Sequence, residues 1–172
     1  MVRDTGQDSG HLAPGLTWAD YLDHLIRDRS SLAAIALELS QLAGTQPRVS
    51  PKGDAVLFCA VNEETGKRDV YRMSDRGGQP QNLTNTPDAD DADPVWSRDG
   101  RMIAYASDRG LDAQGRPNYD VWVLDLSKPQ QPMQVTVNGS HDDTPLFDPR
   151  GGGLYFRSNR SGAWGVWRVS LK

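Results

Sequence analysis

Six aspartates and one histidine crowd two short polar segments. Asp88, Asp90, Asp91 and Asp93 stand in "NTPDADDAD" (85–93), and His141, Asp142 and Asp143 stand in "NGSHDDT" (138–144). Several carboxylate oxygens on neighbouring loops are the donor set that Ca²⁺ takes, and Asp90, Asp91, His141, Asp142 and Asp143 are the candidate ligands for it or for another divalent metal. His141 between carboxylates also has the composition of an acid–base cluster or a transition-metal site. The spacing is not that of an EF-hand loop. The competing reading is plain: Asp in turns caps backbone amides and keeps a surface solvated. The other histidines, His11 and His24, lie far upstream. The chain carries no Gly-x-Ser-x-Gly elbow, no P-loop and no dinucleotide fingerprint, which removes those hydrolase, nucleotide-hydrolysing and dinucleotide-binding classes. No catalytic residue and no cofactor are assigned.

The elements that must carry these segments are repeats. "PRVSPKGDAVLFCAVNEETGKRDVYRM" (47–73), "PVWSRDGRMIAYASDRGLDAQGRPNYDVWVL" (94–124) and "PLFDPRGGGLYFRSNRSGAWGVWRV" (145–169) share one pattern, with leading prolines at Pro47, Pro94 and Pro145. Repeats of roughly 40–50 residues with this alternation mark four-stranded propeller blades. Gly53, Gly100 and Gly151 stand where a tight turn needs positive φ. Val56, Ile103 and Leu154 match, and two residues on so do Phe58, Tyr105 and Phe156, the period of a half-buried strand. Val70, Val121 and Val166 match next, each followed by an aromatic residue: Tyr71, Trp122 and Trp167. Short fourth runs fall near 81–84 and 134–137. Each copy therefore reads as inner strand, turn, second strand, loop, third strand and outer strand.

"PVWSRDGRMIAYASDRG" followed by "DVWVLDL" resembles the repeat of TolB-like, or WD-like, β-propellers, and the resemblance covers about residues 47–170. It implies an all-β fold of three blades, drawn at 45–84, 94–137 and 145–172. Copy three departs from the pattern, with Asp148 at the Ser position and Gly165 where Asp69 and Asp120 stand. Arg109 and Arg160, at equivalent places in copies two and three, are expected to bridge neighbouring blades. Trp96, Trp122 and Trp167 are expected in blade cores, and Trp164, in a Gly-flanked loop, is expected to be exposed and to contact a partner.

Upstream of the blades, residues 1–16 read as a flexible terminus and 17–44 as an amphipathic helical segment. "TWADYLDHLIRD" opens on a capping-box start at Thr17 and Asp20, and Trp18, Tyr21, Leu22, Leu25 and Ile26 share one helical face. That face is a candidate partner-binding surface, with Trp18, Tyr21, Leu22 and Leu25 as its contacts. A DNA-binding helix pair is the remote alternative, because the pair has few basic residues and the net charge is −4. The same charge gives no bulk attraction to nucleic acid or to an anionic membrane. No stretch approaches the ~20 apolar residues of a membrane span. The opening residues lack the basic-then-apolar pattern of a secretory signal, so the expectation is a cytoplasmic chain, a departure from TolB itself, which is periplasmic. Cys59 stands alone, so no internal disulfide forms.

Propellers close with 4–8 blades, and three leave two flanks open. Two copies related by a two-fold axis make six, the TolB-like number, and closed dimers are the commonest assemblies. The outer strand missing from copy three can come from the partner's residues 39–44, which read either as helix end or as an exchanged strand. The expected function is a non-enzymatic protein-interaction scaffold, a half-propeller closed as a homodimer. The alternatives are a metal-binding or lyase-type enzyme on the Asp/His-rich face, and a regulator with DNA-binding helices.

Overall fold

The computed structural model describes residue 36, residues 45–76 and residues 79–171. Residues 1–16, the helical face of Trp18, Tyr21, Leu22 and Leu25, and the 39–44 segment lie outside that set; Ala36 is helical. Three antiparallel sheets follow. The first comprises β1 (Arg48–Val49), β2 (Ala55–Val61), β3 (Arg68–Ser74) and β4 (Gln81–Asn82). The second comprises β5 (Asp91–Trp96), β6 (Met102–Leu111), β7 (Pro117–Asp125) and β8 (Met133–Gln134). The third comprises β9 (Asp142–Phe147), β10 (Gly153–Ser158) and β11 (Gly165–Ser170). Within each sheet the strands lie side by side in chain order, the meander of a propeller blade. The inner strands β5 and β9 begin three residues ahead of Pro94 and Pro145. No helix among the described residues is long and apolar enough to cross a membrane.

The hairpin between the first two strands explains the recurring Ser-x-x-Gly. Ser97 N–H bonds to the Met102 carbonyl at 2.9 Å, and Gly100 takes φ 72°. The Ser97 hydroxyl accepts from Met102 N–H at 2.9 Å and donates to Asp99 at 2.7 Å. Ser50 repeats this with Ala55 and Asp54. In the third blade Asp148 takes the place of Ser and accepts from the Arg150 backbone N–H at 2.9 Å. A side-chain oxygen at this position thus closes all three turns.

Cross-strand pairing puts the matched aromatics opposite one another: Phe58 with Tyr71, Tyr105 with Trp122 and Phe156 with Trp167. The blades then stack face to face. Leu57, Cys59, Val70 and Leu83 of blade 1 pack against Ile103, Tyr105 and Leu124 of blade 2. Ala104, Val121 and Val123 of blade 2 pack against Leu154 and Phe156 of blade 3. A fully buried side chain of this size contributes about 1.5–3 kcal/mol. Trp96 and Trp122 are half-buried against the core, whereas Trp167, expected in the core, is exposed. Of the two flanks expected to be open, blade 1's is not: Val56, Phe58 and Met73 are buried there. The outer flank of blade 3 is open, with Leu146 and Val166 exposed.

Candidate functional site

The acidic segments lie where the strands of adjacent blades begin, and Asp90, Asp91, Asp93, Asp142 and Asp143 each have a specific donor. In blade 2, Asp91 at the head of β5 is fully buried and faces Arg109 on β6. Arg109 Nε donates to Ser107 at 2.9 Å, its Nη2 donates to the Tyr105 hydroxyl at 3.0 Å, and its guanidinium lies 4.1 Å from the Trp122 ring centre. Blade 3 repeats the clasp. Arg160 donates to Ser158 at 2.9 Å and to buried Asp142 at 2.7 Å, over Phe156 and Trp167. The expected bridge between neighbouring blades is therefore corrected: both arginines fold back within their own sheet. The two-residue spacing of Ser107 and Arg109 puts both on one face of β6, and Arg160 reaches the same place from the turn just past β10. Blade 1 has Ala60 and Asn62 at these places, and there Phe58 and Tyr71 stack directly, 5.7 Å apart.

The joints between blades use other groups. Asp69 accepts from Asn62, Asn82 and Thr84, and from the Thr86 backbone. Asp120 accepts from Gln134 and Thr136 at 3.1 and 2.9 Å. Thr84 and Thr136 in turn accept from the Val70 and Val121 backbone N–H, so one hydroxyl fastens each outer strand to the third. Thr86 donates onward to Asp91, and Asn138 to Asp142 at 2.9 Å. Burial pushes the carboxyls of Asp91 and Asp120 above the usual carboxylate range, against the donors that stabilise their charge. Gly165 removes the corresponding carboxylate from blade 3.

Around the inner edges the residue before each proline takes a left-handed backbone: Gln46 at φ 46°, Asp93 at 54° and Thr144 at 50°. The ladder slips at two of these points, between Ala92 and Val95 and opposite Tyr155–Arg157. Their side chains join across blades. Gln46 bonds to Asp93 through both its amide groups, and Asp93 accepts from the Thr144 backbone at 3.1 Å.

Outward from this row, the loop face carries aromatic rings held by charge. The His141 ring lies 5.0 Å from Tyr119 and meets Trp164 edge-on at 5.3 Å. Arg157 covers Trp164 at 4.4 Å and is itself clamped by Asp143 through bonds of 2.7 and 2.6 Å. His141 Nε2 is 3.0 Å from Asp143 Oδ2, the oxygen that Arg157 Nη2 also meets. Burial is the largest single influence and would raise the Asp143 carboxyl, but the hydrogen bonds from Arg157 and Thr144 together with the Arg157 charge hold it below the usual range. Next along the face, Arg68 reaches the Tyr119 hydroxyl at 3.3 Å and pairs with Asp90 at 3.4 Å. Trp164 is 52% exposed, in keeping with its Gly-flanked loop.

Of the candidate ligands, His141 and Asp143 meet each other at 3.0 Å, and Asp143 is also clamped by Arg157, while Asp90 goes to Arg68 and Lys67, Asp91 to Arg109 and Asp142 to Arg160. Among the described residues no group of three or more His, Cys, Asp or Glu side chains is arranged to hold a metal ion. Sequence reasoning did not single out Tyr119 or Arg157. The signal for Tyr119 is positional: Arg68, Tyr119 and Trp164 occupy the same repeat position, two residues before Val70, Val121 and Val166. Cys59 is buried, and desolvation pushes its thiol up to about 12.

With this geometry the chain is a partial β-propeller, and its three blades are TolB-like repeats. No family model matches the sequence. An uncharacterized protein of Agrobacterium fabrum is 29% identical over 124 residues, covering 72% of this chain and 39% of that protein. A putative TolB from Agrobacterium tumefaciens has a TM-score of 0.60 at 26% identity, over 73% of this chain and 42% of its own. TolB from Acinetobacter baumannii scores 0.61 at 22% identity, over 74% of this chain and 30% of its own. The chain therefore spans about two fifths or less of the length of these relatives. Solved relatives of the fold also include a tricorn protease and an oligogalacturonate lyase, so the fold by itself neither implies nor excludes catalysis.

Proposed function

We propose that the chain is a non-enzymatic interaction scaffold whose partner stacks on the open flank of blade 3 and reaches the aromatic row on the loop face. One comparison carries this reading. Val70 and Val121 are 0% exposed because the next blade covers them, while Val166 at the same repeat position is 78% exposed. Apolar residues at that position are complementary to a blade face, and the surface that fits them is another β-sheet. Trp164 extends the same surface, its ring fixed by Arg157 and His141, and an ordered exposed tryptophan is the residue type that dominates protein interfaces. A non-catalytic reading is supported by the donors already spent on Asp90, Asp91, Asp142 and Asp143.

A second copy is the occupant that completes six blades. Because Val56, Phe58 and Met73 of blade 1 are already buried, that closure requires a second copy's blade 1 face to be uncovered on assembly. Light scattering on a sizing column decides between partners. A stable mass of twice 18.9 kDa that halves in Val166→Asp supports the closed dimer. A monomer at every concentration rules out the second copy and leaves a different protein as the partner. Binding of such a partner that is indifferent to both Val166→Asp and Trp164→Ala would overturn the assignment of the surface.

A further inference from the structure

The end of the blades opposite the acidic loops, where the hairpin turns lie, holds a cavity of about 630 Å³ between blades 2 and 3. Its existence follows from three local differences among otherwise equivalent turns. Between blades 1 and 2, Pro51 of the first turn lies against the second: a Cβ on Gly100 would stand 3.7 Å from Pro51 Cδ. The residue equivalent to Pro51 in blade 2 is Arg98, which reaches across to the Pro149 carbonyl at 3.3 Å instead of filling the gap. The third turn carries Gly151, Gly152 and Gly153, so its wall is bare backbone. Its floor is apolar: Met102, Phe147 and Leu171.

The charges at the mouth are unequal. Asp148 is neutralised by Arg150 and Arg168, at 3.3 and 3.1 Å. Asp99 is held by the Ser97 hydroxyl and the Arg101 backbone. Arg150 is committed to Asp148 and to the Tyr155 hydroxyl. Arg98 alone has no carboxylate among the described residues; its one bond there is to a neutral carbonyl. A guanidinium in this state, over an apolar floor, lacks a planar anion to bond with two parallel N–H groups. The volume lies in the range of small-molecule sites, ~300–1,000 Å³, and such sites combine an apolar lining with a few polar anchors.

We propose that this cavity binds a carboxylate carrying an apolar tail, with the carboxylate on Arg98 and the tail over Met102, Phe147 and Leu171. The chemistry is shared by a free aliphatic acid and by the C-terminus of a peptide ending in an apolar residue. The site is independent of any partner on the blade 3 flank.

The test uses the full chain labelled with ¹⁵N. Octanoate is titrated while the amide resonances of Gly151, Gly152 and Gly153 are followed, with acetate and octanamide as probes lacking the tail or the charge. Octanoate is expected to saturate these shifts, with octanamide about tenfold weaker, the loss that goes with one charged hydrogen bond, and acetate weaker still because it buries no tail. Arg98 is exposed, so Arg98→Gln should fold normally and weaken octanoate by a similar factor. Met102→Trp, which fills the cavity, should abolish the shifts. Equal binding of octanamide, or full affinity in Arg98→Gln, overturns the carboxylate assignment. No saturable shift up to about 10 mM, near the weak limit of specific affinity, overturns the site. A short peptide ending in free Leu, compared with its C-terminal amide, separates the sources. Tighter binding of the free peptide than of octanoate assigns a chain terminus, and the reverse order assigns a small acid.

Discussion

Blades 2 and 3 share a clasp and differ in nearly everything around it. Asp91–Ser107–Arg109 and Asp142–Ser158–Arg160 are the same device at equivalent repeat positions, each under its own aromatic pair, with Arg109 within β6 and Arg160 just past the end of β10. Yet blade 2 has an outer strand fastened by Thr136 and Asp120 and a covered Val121, while blade 3 has Gly165 in place of the aspartate and an open Val166. Whatever survives in the blade with an open flank is stabilised from within the sheet. Whatever changes there depends on a neighbour. The clasp is thus a property of the blade, and the outer-strand latch and the stacking face are properties of the ring.

The sharpest way to break this comparison is to place a charge on both stacking faces. Val121→Asp buries an unpaired carboxylate and is expected to cost about 4 kcal/mol or more, whereas Val166→Asp on the monomer should stay within about 0.5 kcal/mol. Urea unfolding followed by tryptophan fluorescence measures both. Similar losses at the two sites would mean that blade 3 is covered in solution.

Next in size are the clasps themselves. Arg160→Ala leaves Asp142 with Asn138 alone, and the Asp142 Oδ1 atom already lacks a partner among the described residues. A loss of about 3 kcal/mol is expected for a buried ion stripped of its partner. Arg109→Ala should cost less, about 1–2 kcal/mol, because Asp91 keeps Thr86 and its bond to Arg109 is long, at 3.5 Å. The reverse order would show that the cation over Trp122, rather than the ion pair, sets the strength of the clasp.

The turns sharpen the contrast through pH. The Arg150 backbone N–H, with the Arg150 and Arg168 side chains, holds Asp148 at about 2, below its ordinary 3.8. A carboxyl whose folded value is depressed adds stability above its unfolded value and loses it as the pH falls from about 4 to about 2. Asp91 and Asp120, shifted upward, act in the opposite sense. Asp148→Ser, the residue that Ser50 and Ser97 supply in the other blades, should flatten the acid limb of the unfolding curve. An unchanged limb would assign acid sensitivity to Asp143 and the remaining aspartates. The smallest effect belongs to Cys59→Ala, which copies Ala106 of blade 2 and should cost about 1 kcal/mol. In the native chain the thiol should resist a disulfide reagent at neutral pH and react on unfolding.

The repeats, the hairpin turns and the paired aromatics are legible in the sequence because each rests on residues a few positions apart. Val56 with Phe58, or Ser97 with Gly100, announces itself locally. The roles of the aspartates are not, because their partners lie far along the chain: Asp143 finds Arg157, Asp142 finds Arg160, and Asp93 joins Gln46 to Thr144 across three blades. Dense carboxylates look like a cation site when their guanidinium partners cannot be placed. Arg109 and Arg160 read as structural from their repeat position, but strand direction, which sends them inward, is not written in spacing. The left-handed backbone before Pro94 and Pro145 is invisible for a different reason: a non-glycine residue there is disfavoured locally, and the bulge with its side-chain bonds holds it in place.

Those prolines bear on how the sheets avoid one another. β1, β5 and β9 are each the terminal strand of their sheet, so three raw edges converge at the axis. Unprotected edges so close together would template one another into a continuous sheet. Pro94 and Pro145 withdraw a backbone donor from two of these edges, Pro47 precedes the third, and the kink before each turns the strand away. The polar row Gln46–Asp93–Thr144 then occupies the gap with side chains, where a β-ladder would otherwise propagate. The opening at the centre of the blades is kept by residues that refuse to pair.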